Sequence, residues 1–309
     1  MSGTAVDEEE DGNTTMRCAS CGVKEGDDIE FKICNACHLV KYCSVKCQRE
    51  HWPRHKKECK KRAAELRDEL LFKQPESTHR GDCPICCLPM PTRANKSIFY
   101  ACCFKAVCRG CAYATMKPNQ ESTCPFCRYP IPNSEETKKN YLMKRVEAND
   151  PVAISQLGMK HQKKGDYKRA FEYYTKAVGF GDIDAHMALS FLYEKELGVE
   201  KDEKKRIYHL EEAAIGGHAD ARFNLGNFEG RNKRYNRATK HFIIAANLGH
   251  DLSLELLKVN HAHGSVSKEE LSSALRGHKA AVDAMKSSQR EEAEVVRQKR
   301  EAARAAQQK

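Results

Sequence analysis

The 309-residue chain lacks most of what a membrane protein or a large single-core enzyme needs. It contains no apolar run approaching about 18 residues, which excludes a membrane-spanning helix. Its mean hydropathy of −0.71 agrees. A single Trp, 7% aromatics and 40% hydrophobic residues are lean for one large core, so the length implies several modules. The opening stretch MSGTAVDEEEDGNTT has five acids, no base and no apolar segment, so no secretory signal is expected. No G-x-S-x-G, no H-E-x-x-H and no phosphate-binding glycine loop occurs, which removes the usual hydrolase and nucleotide-binding machinery. Cysteine is missing from residues 128–309, whereas all 16 cysteines lie between Cys18 and Cys127. An intracellular chain, cytoplasmic or nuclear, keeps its thiols reduced, so that density points to metal rather than disulfides.

The formal net charge is +10, and it is dispersed. Residues 1–15 carry −5, 16–80 carry +5, 81–150 carry +4 and the remainder +6. Only RHKKECKKR at 54–62 is dense, and it is expected to be the solvated face of a metal-bearing helix. With no C2H2 spacing and no aromatic platform among the basic residues, nucleic acid is not an expected partner.

Residues 18–59 arrange seven cysteines and one histidine as C-x2-C, C-x2-C, C-x3-C and C-x7-H-x3-C. A C-x2-C knuckle aims two sulfurs at one metal, and partners at i and i+4 share a helix face. Eight ligands suffice for two tetrahedral zinc sites. The segment, most distinctly YCSVKCQREHWPRHKKEC, resembles a MYND zinc finger. That resemblance implies interleaved sites, Cys18, Cys21, Cys43 and Cys47 on one zinc and Cys34, Cys37, His55 and Cys59 on the other. His51, four residues after Cys47, is the competing donor; His51 and His38 read as surface or hydrogen-bonding residues.

A second set, CPICC, YACCFKAVCRGC and CPFC, spans residues 83–127 and again supplies eight sulfurs. It resembles a RING finger. The resemblance implies a cross-brace of Cys83, Cys86, Cys108 and Cys111 on one metal and Cys102, Cys103, Cys124 and Cys127 on the other. Lys105 stands where a RING usually has histidine and cannot ligate zinc while protonated, so Cys102 and Cys103 together complete an all-cysteine variant. Cys87 is the spare thiol; it could replace Cys86, but C-x2-C is the commoner knuckle, so Cys87 reads as a packing or bystander residue. The family docks ubiquitin-conjugating enzymes without covalent chemistry of its own. Ile85, Pro125 and Arg128 occupy the positions such docking uses, Arg128 offering its fixed fork of donors.

From residue 151 a period emerges. Ala153, Ala185, Ala221 and Ser253 are spaced 32, 36 and 32 residues, and Gly181, Gly217 and Gly249 close three units. Apolar residues at i, i+3 and i+4 give two helices per unit, hence a helical-hairpin solenoid. Asp150 before Pro151 and Asp202 are suitable N-caps. The LG, LGVEKD and AA-x-x-G signatures resemble Sel1-like repeats, relatives of tetratricopeptide repeats, which implies an adaptor surface. Unit four, 253–286, is degenerate and expected to cap the array, and Tyr173 and Tyr174 are expected to pack between helices.

The expected architecture is multidomain: two small zinc-stabilised modules followed by an all-α helical-hairpin repeat solenoid. Its segments are a disordered acidic tail 1–15, the MYND-type finger 16–60, a helical linker 61–79 and the RING-type finger 80–131. A helical linker 132–150, the repeats 151–288 and a charged, solvated helical tail 289–309 complete it. Four Zn²⁺ per chain are expected. Fifteen ligating thiolates against four such ions bring the formal +10 down to about +3. The expected function is a zinc-binding scaffold that engages protein partners through the MYND, RING-like and repeat surfaces. The alternative is a RING-type ubiquitin ligase whose repeats recruit substrate and whose RING engages a conjugating enzyme.

Overall fold

The computed structural model describes residues 17–26, 29–92, 96–115, 123–132 and 134–307. The acidic tail expected at 1–15 lies outside them. The chain divides into two compact units, Met1–Leu71 and Phe72–Lys309.

The first unit has little apolar core. A short antiparallel pair, β1 (Lys32–Ile33) and β2 (Lys41–Tyr42), leads into helix α1 (Val45–Leu71). Its buried cluster consists of Phe31, Tyr42 and five cysteines. So few carbon-rich side chains cannot offset chain entropy at this size without a further staple. On α1 the residues at four- and eight-residue intervals, Cys47, His55 and Cys59, are buried, because such spacing repeats one helix face. The helix continues through exposed Pro53.

The linker expected at 61–79 divides. Residues 61–71 prolong α1, whereas 72–80 carry no helix. Pro75 supplies no amide for a further turn and biases Gln74 away from helical backbone.

The second unit begins with the hairpin β3 (Ser97–Tyr100) and β4 (Lys105–Cys108) and the short helix α2 (Arg109–Thr115). Helix α3 (Glu135–Glu147), capped by Ser134, occupies the expected 132–150 linker. Its Leu142 is buried with Phe104 and Ala153, so this segment joins the cysteine module to the repeats through a small core.

Four hairpins follow. They are α4 (Pro151–Lys163) with α5 (Tyr167–Gly179), α6 (Ile183–Lys195) with α7 (Glu203–Ile215), α8 (Ala219–Arg231) with α9 (Tyr235–Asn247), and α10 (Asp251–Ala262) with α11 (Lys268–Ala284). The periodic Ala153, Ala185, Ala221 and Ser253 are the third residues of their helices. Each donates its amide to a capping side chain: Asp150, Asp182, His218 and His250. Asp202 caps α7 in the same way. Gly181, Gly217 and Gly249 adopt φ of +84°, +86° and +83°, the left-handed turn that lets each hairpin fold back to the next. The small residue within LG is a packing device. A Cβ at Gly226 would stand 2.4 Å from the Phe242 ring, and at Gly158 3.0 Å from the Tyr174 ring. Tyr174 is 3% exposed and its hydroxyl donates to Gln162.

The charged tail forms helix α12 (Ser288–Gln307), mostly exposed but packed along one face. It lies against α2, with Ala293 3% exposed. The approach is so close that a Cβ on Gly110 would meet the Arg290 backbone nitrogen at 2.7 Å. The few apolar residues of this segment suggest a solvated helix by themselves; only the glycine opposite turns small side chains into an interface.

Candidate metal centres

Among the described residues, four groups of four side chains bring their ligand atoms within 4.8 Å of one another. They are Cys18, Cys21, Cys43, Cys47; Cys34, Cys37, His55, Cys59; Cys83, Cys86, Cys108, Cys111; and Cys102, Cys103, Cys124, Cys127. Cys37, Cys83 and Cys108 are almost wholly buried, while Cys21 is exposed.

The separations identify the chemistry. Sulfurs stand 3.6 Å apart in Cys21–Cys43 and Cys43–Cys47, 3.7 Å in Cys34–Cys59, 3.8 Å in Cys86–Cys108 and 3.5 Å in Cys103–Cys124. A disulfide requires about 2.05 Å. Sulfurs at the corners of a tetrahedron around a zinc about 2.3 Å away lie about 3.8 Å apart. Cys37 Sγ to His55 Nε2 is 3.3 Å, near the shorter edge expected of a mixed pair. The donor sets therefore fit Zn²⁺, and each set is complete with four protein ligands, the closed arrangement of structural zinc.

Local backbone explains why the sulfurs converge. Four knuckles repeat one hydrogen-bond pattern, in which the first cysteine's carbonyl accepts the amide four residues on. The pairs are Cys18 with Gly22, Cys34 with His38, Cys83 with Cys87, and Cys124 with Arg128. The fourth residue beyond each first cysteine is left-handed, with φ of +74° at Gly22, +56° at His38, +54° at Cys87 and +59° at Arg128. Backbone amides also point at sulfur: Phe126 N–H within the last knuckle to Cys124, Cys108 N–H at the end of β4 to Cys83, and Cys111 N–H in α2 to Cys108.

These contacts set the thiol acidity. Burial pushes Cys18, Cys34 and Cys83 up, but hydrogen bonds from backbone amides, within the knuckles and across from them, and from neighbouring ligand side chains outweigh it and bring each down to about 6. Cys43, bonded to Cys47, and buried Cys59 are driven up to about 12. Four thiolates cannot ionise side by side without a cation between them, and a divalent ion removes that conflict.

Residues named from sequence fall as follows. His51 lies outside both tetrads, its Nδ1 3.0 Å from the Tyr42 hydroxyl and its ring stacked on His55. His38 and Cys87 are exposed and occupy the left-handed corners of their knuckles, and Cys87 joins no tetrad. Arg128 is the corresponding corner of the last knuckle and is exposed, as is Ile85 at 40%, while Pro125 is half-buried. Lys105 lies over the Phe126 ring at 5.1 Å, away from ligand duty.

Sequence reasoning missed Arg290. Its guanidinium donates to Pro89 O at 2.8 Å, Leu88 O at 3.2 Å and Cys86 Sγ at 3.3 Å, so the last helix clasps the first knuckle of the second cysteine module. Nothing in the sequence links positions 204 residues apart.

Two parts of the chain have counterparts among known protein families. Residues 14–59 match the MYND finger family, and residues 151–178, 183–218 and 219–250 match the Sel1 repeat family. A SET domain and MYND-type zinc finger protein of Schizosaccharomyces pombe is 36% identical over 59 residues, 19% of this chain and 12% of that protein. Human histone-lysine N-methyltransferase SMYD3 is 59% identical over 27 residues, 9% of this chain and 6% of that enzyme. The chain thus spans about an eighth or less of these two relatives. Among solved structures, a Sel1 repeat protein from Oxalobacter formigenes aligns with a TM-score of 0.43 at 27% identity, covering 48% of this chain and 64% of that one. The chain therefore carries a MYND finger and Sel1 repeats, with further cysteine clusters at 83–111 and 102–127 suited to zinc. The MYND finger and the cysteine clusters mark zinc binding, and MYND fingers and Sel1 repeats are both protein-interaction modules. Among the described residues no helix is long and apolar enough to cross a membrane.

Proposed function

We propose that this protein is a zinc-dependent scaffold that brings protein partners together on its MYND finger, its second cysteine module and its repeat array. The observation that carries this reading is the completeness of the four tetrads. Each offers four protein donors, so each metal is committed to holding a fold and keeps no coordination place for a substrate. The reading takes four Zn²⁺ per chain, the sixteen donors grouped above as their ligands, and a finger at 16–60, a RING-type module at 80–131 and repeats at 151–288. Fifteen ligating thiolates suit a reducing compartment, cytoplasm or nucleus.

A second reading, ubiquitin ligation, has its own support. Ile85 and Arg128 are exposed at corresponding knuckles of the second cysteine module, and an exposed guanidinium is free to bridge two partners. The deciding experiment incubates the zinc-loaded full chain with ubiquitin-activating enzyme and a panel of conjugating enzymes. Silence across the panel supports the scaffold. Chain formation that Arg128→Asn abolishes supports the ligase, and asparagine tolerates the left-handed backbone, so that variant isolates the side chain.

A further inference from the structure

The helix-free segment 72–80 is held by the repeat array at both of its ends, and both belong to the second unit. The Phe72 ring is half-buried among three side chains of α9. Arg237 lies over it at 4.7 Å and Lys240 at 5.4 Å, and the His241 ring is 4.8 Å away, centroid to centroid. From α8, the wholly buried Arg222 donates to the Lys73 carbonyl at 3.4 Å. Asn247, the last residue of α9, donates to the Gln74 side chain at 3.1 Å. At the far end the His79 amide donates to Gly217 O at 3.2 Å. The His79 ring stacks on His218 with centroids 4.3 Å apart, and its Nε2 stands 3.0 Å from Asp184 Oδ1.

A tether that only spans a gap needs no such reception. The contacts divide as they do around a bound extended peptide, where main-chain groups give affinity and side-chain pockets give selectivity. Lys73 O and the His79 amide are main-chain groups of the segment, and the array meets both. Burying a guanidinium is costly, and part of the hydrogen bonding of Arg222 goes to the first of them. The turn at Gly217 is shaped for the same approach. A Cβ there would stand 2.6 Å from Ser77 O, whereas on Gly181, the same turn one unit earlier, it would meet no described atom within 4 Å. Selectivity comes from the ends. Two cations over one ring favour an aromatic face at position 72, and His218 offers a flat partner for an imidazole at position 79. Pro75 fixes its own φ and biases Gln74 to extended backbone, so the segment gives up little freedom when it is held.

We propose that the α8–α9 hairpin, the turn at Gly217 and Asp184 form a recognition site for extended peptides, with segment 72–80 as its resident occupant. The outside partner that fits is a protein segment of the same chemistry. It carries an aromatic residue, a proline three residues on and a histidine seven residues on, as Phe72, Pro75 and His79 do here. The site is one partner surface of the scaffold proposed above and rests on that reading. Because the resident is tethered, its effective concentration is on the order of millimolar, and an outside segment must displace it. The array is therefore closed to weak partners and open to one that outbids the resident or finds it released.

The test is binding of a fluorescein-labelled FKQPESTHR peptide to the zinc-loaded full chain, followed by anisotropy. Phe72→Ala removes the resident's anchor and leaves the array's own side chains in place. The peptide is expected to bind this variant roughly tenfold or more tighter than wild type. That binding should be lost when the peptide's phenylalanine is replaced by alanine, and weakened when the exposed Lys240→Glu is added to the chain. In wild type, a saturating concentration of the peptide is expected to speed hydrogen exchange in segment 72–80. If Phe72→Ala loses helical signal, this wild-type measurement decides the question. Equal or absent binding in wild type and Phe72→Ala, with unchanged wild-type exchange, shows a fixed linker and overturns the proposal. That result leaves the scaffold reading to its own test with the conjugating-enzyme panel, which does not involve segment 72–80.

Discussion

Arg290 supplies the sharpest test of how the second cysteine module is held. Its guanidinium makes three hydrogen bonds to that module, at Cys86, Leu88 and Pro89, and a fourth to Met285 O at 2.7 Å. Arg290→Ala removes one donor each from the Leu88 and Pro89 carbonyls and from one ligating sulfur, while Leu88 O keeps the Cys83 amide. Hydrogen bonds to charged groups contribute about 1.5–3 kcal/mol each, and losses that share one side chain do not add fully. Because Arg290 is only half-buried, water replaces part of what is lost, and a total of about 2–4 kcal/mol follows. At about 1.4 kcal/mol per decade, the opening equilibrium around Cys86 rises roughly 30- to 700-fold. Zinc transfer to a colorimetric chelator, followed by stopped flow, should show a faster phase in the variant. Protease should also reach α12 sooner. Arg290→Lys keeps the charge without the planar fork and should fall between the two. Wild-type zinc release together with a protease-resistant α12 in Arg290→Ala would refute the clasp.

Other expectations follow from the same geometry. Chelation should unfold both cysteine modules and spare most of the helical signal of the repeats, because each structural zinc contributes on the order of 10 kcal/mol to a small module. Proteolytic resistance of residues 17–115 that survives chelation would contradict this. Acid should weaken the array through His209. Burial, His186 and Lys205 lower its pKa to about 4, so between about 6.5 and 4 the unfolded chain binds a proton that the folded chain excludes. Stability is therefore full above that window and falls by roughly 1–3 kcal/mol as pH drops through it. Thermal melts of His209→Asn should show a flatter pH profile. Cys87→Gly should stabilise its knuckle by up to about 1 kcal/mol, because the residue has φ of +54° and joins no tetrad. A fall in melting temperature would instead assign the Cys87 side chain a packing role.

Much of this structure was legible because its determinants are local. Alanine at 32- and 36-residue intervals marks the third position of each leading helix, and the periodic glycines mark its left-handed turns. The C-x2-C spacing carries the knuckle, since four consecutive residues settle where two sulfurs point. What the spacing did not carry was the meaning of the corner residue. Arg128 and Cys87 look unlike one another in sequence, yet each occupies the left-handed place that Gly22 fills elsewhere. The histidine caps were equally hard to read, because His218 and His250 replace the aspartates of earlier units and only a three-dimensional ladder shows their partners, Asp184 and Asp220.

By itself the sequence determined the classes of the parts: metal-held modules where cysteine abounds, and stacked helical hairpins where it is absent. Those properties follow from spacing over a few residues or from one repeat period. The tertiary structure alone decided which distant segments meet. It laid α12 on Gly110, placed Arg290 against Cys86, and brought His79 beside Asp184 and His218. Each meeting depends on two surfaces fitting across roughly a hundred residues or more of intervening chain, and neither surface carries a local mark of the other.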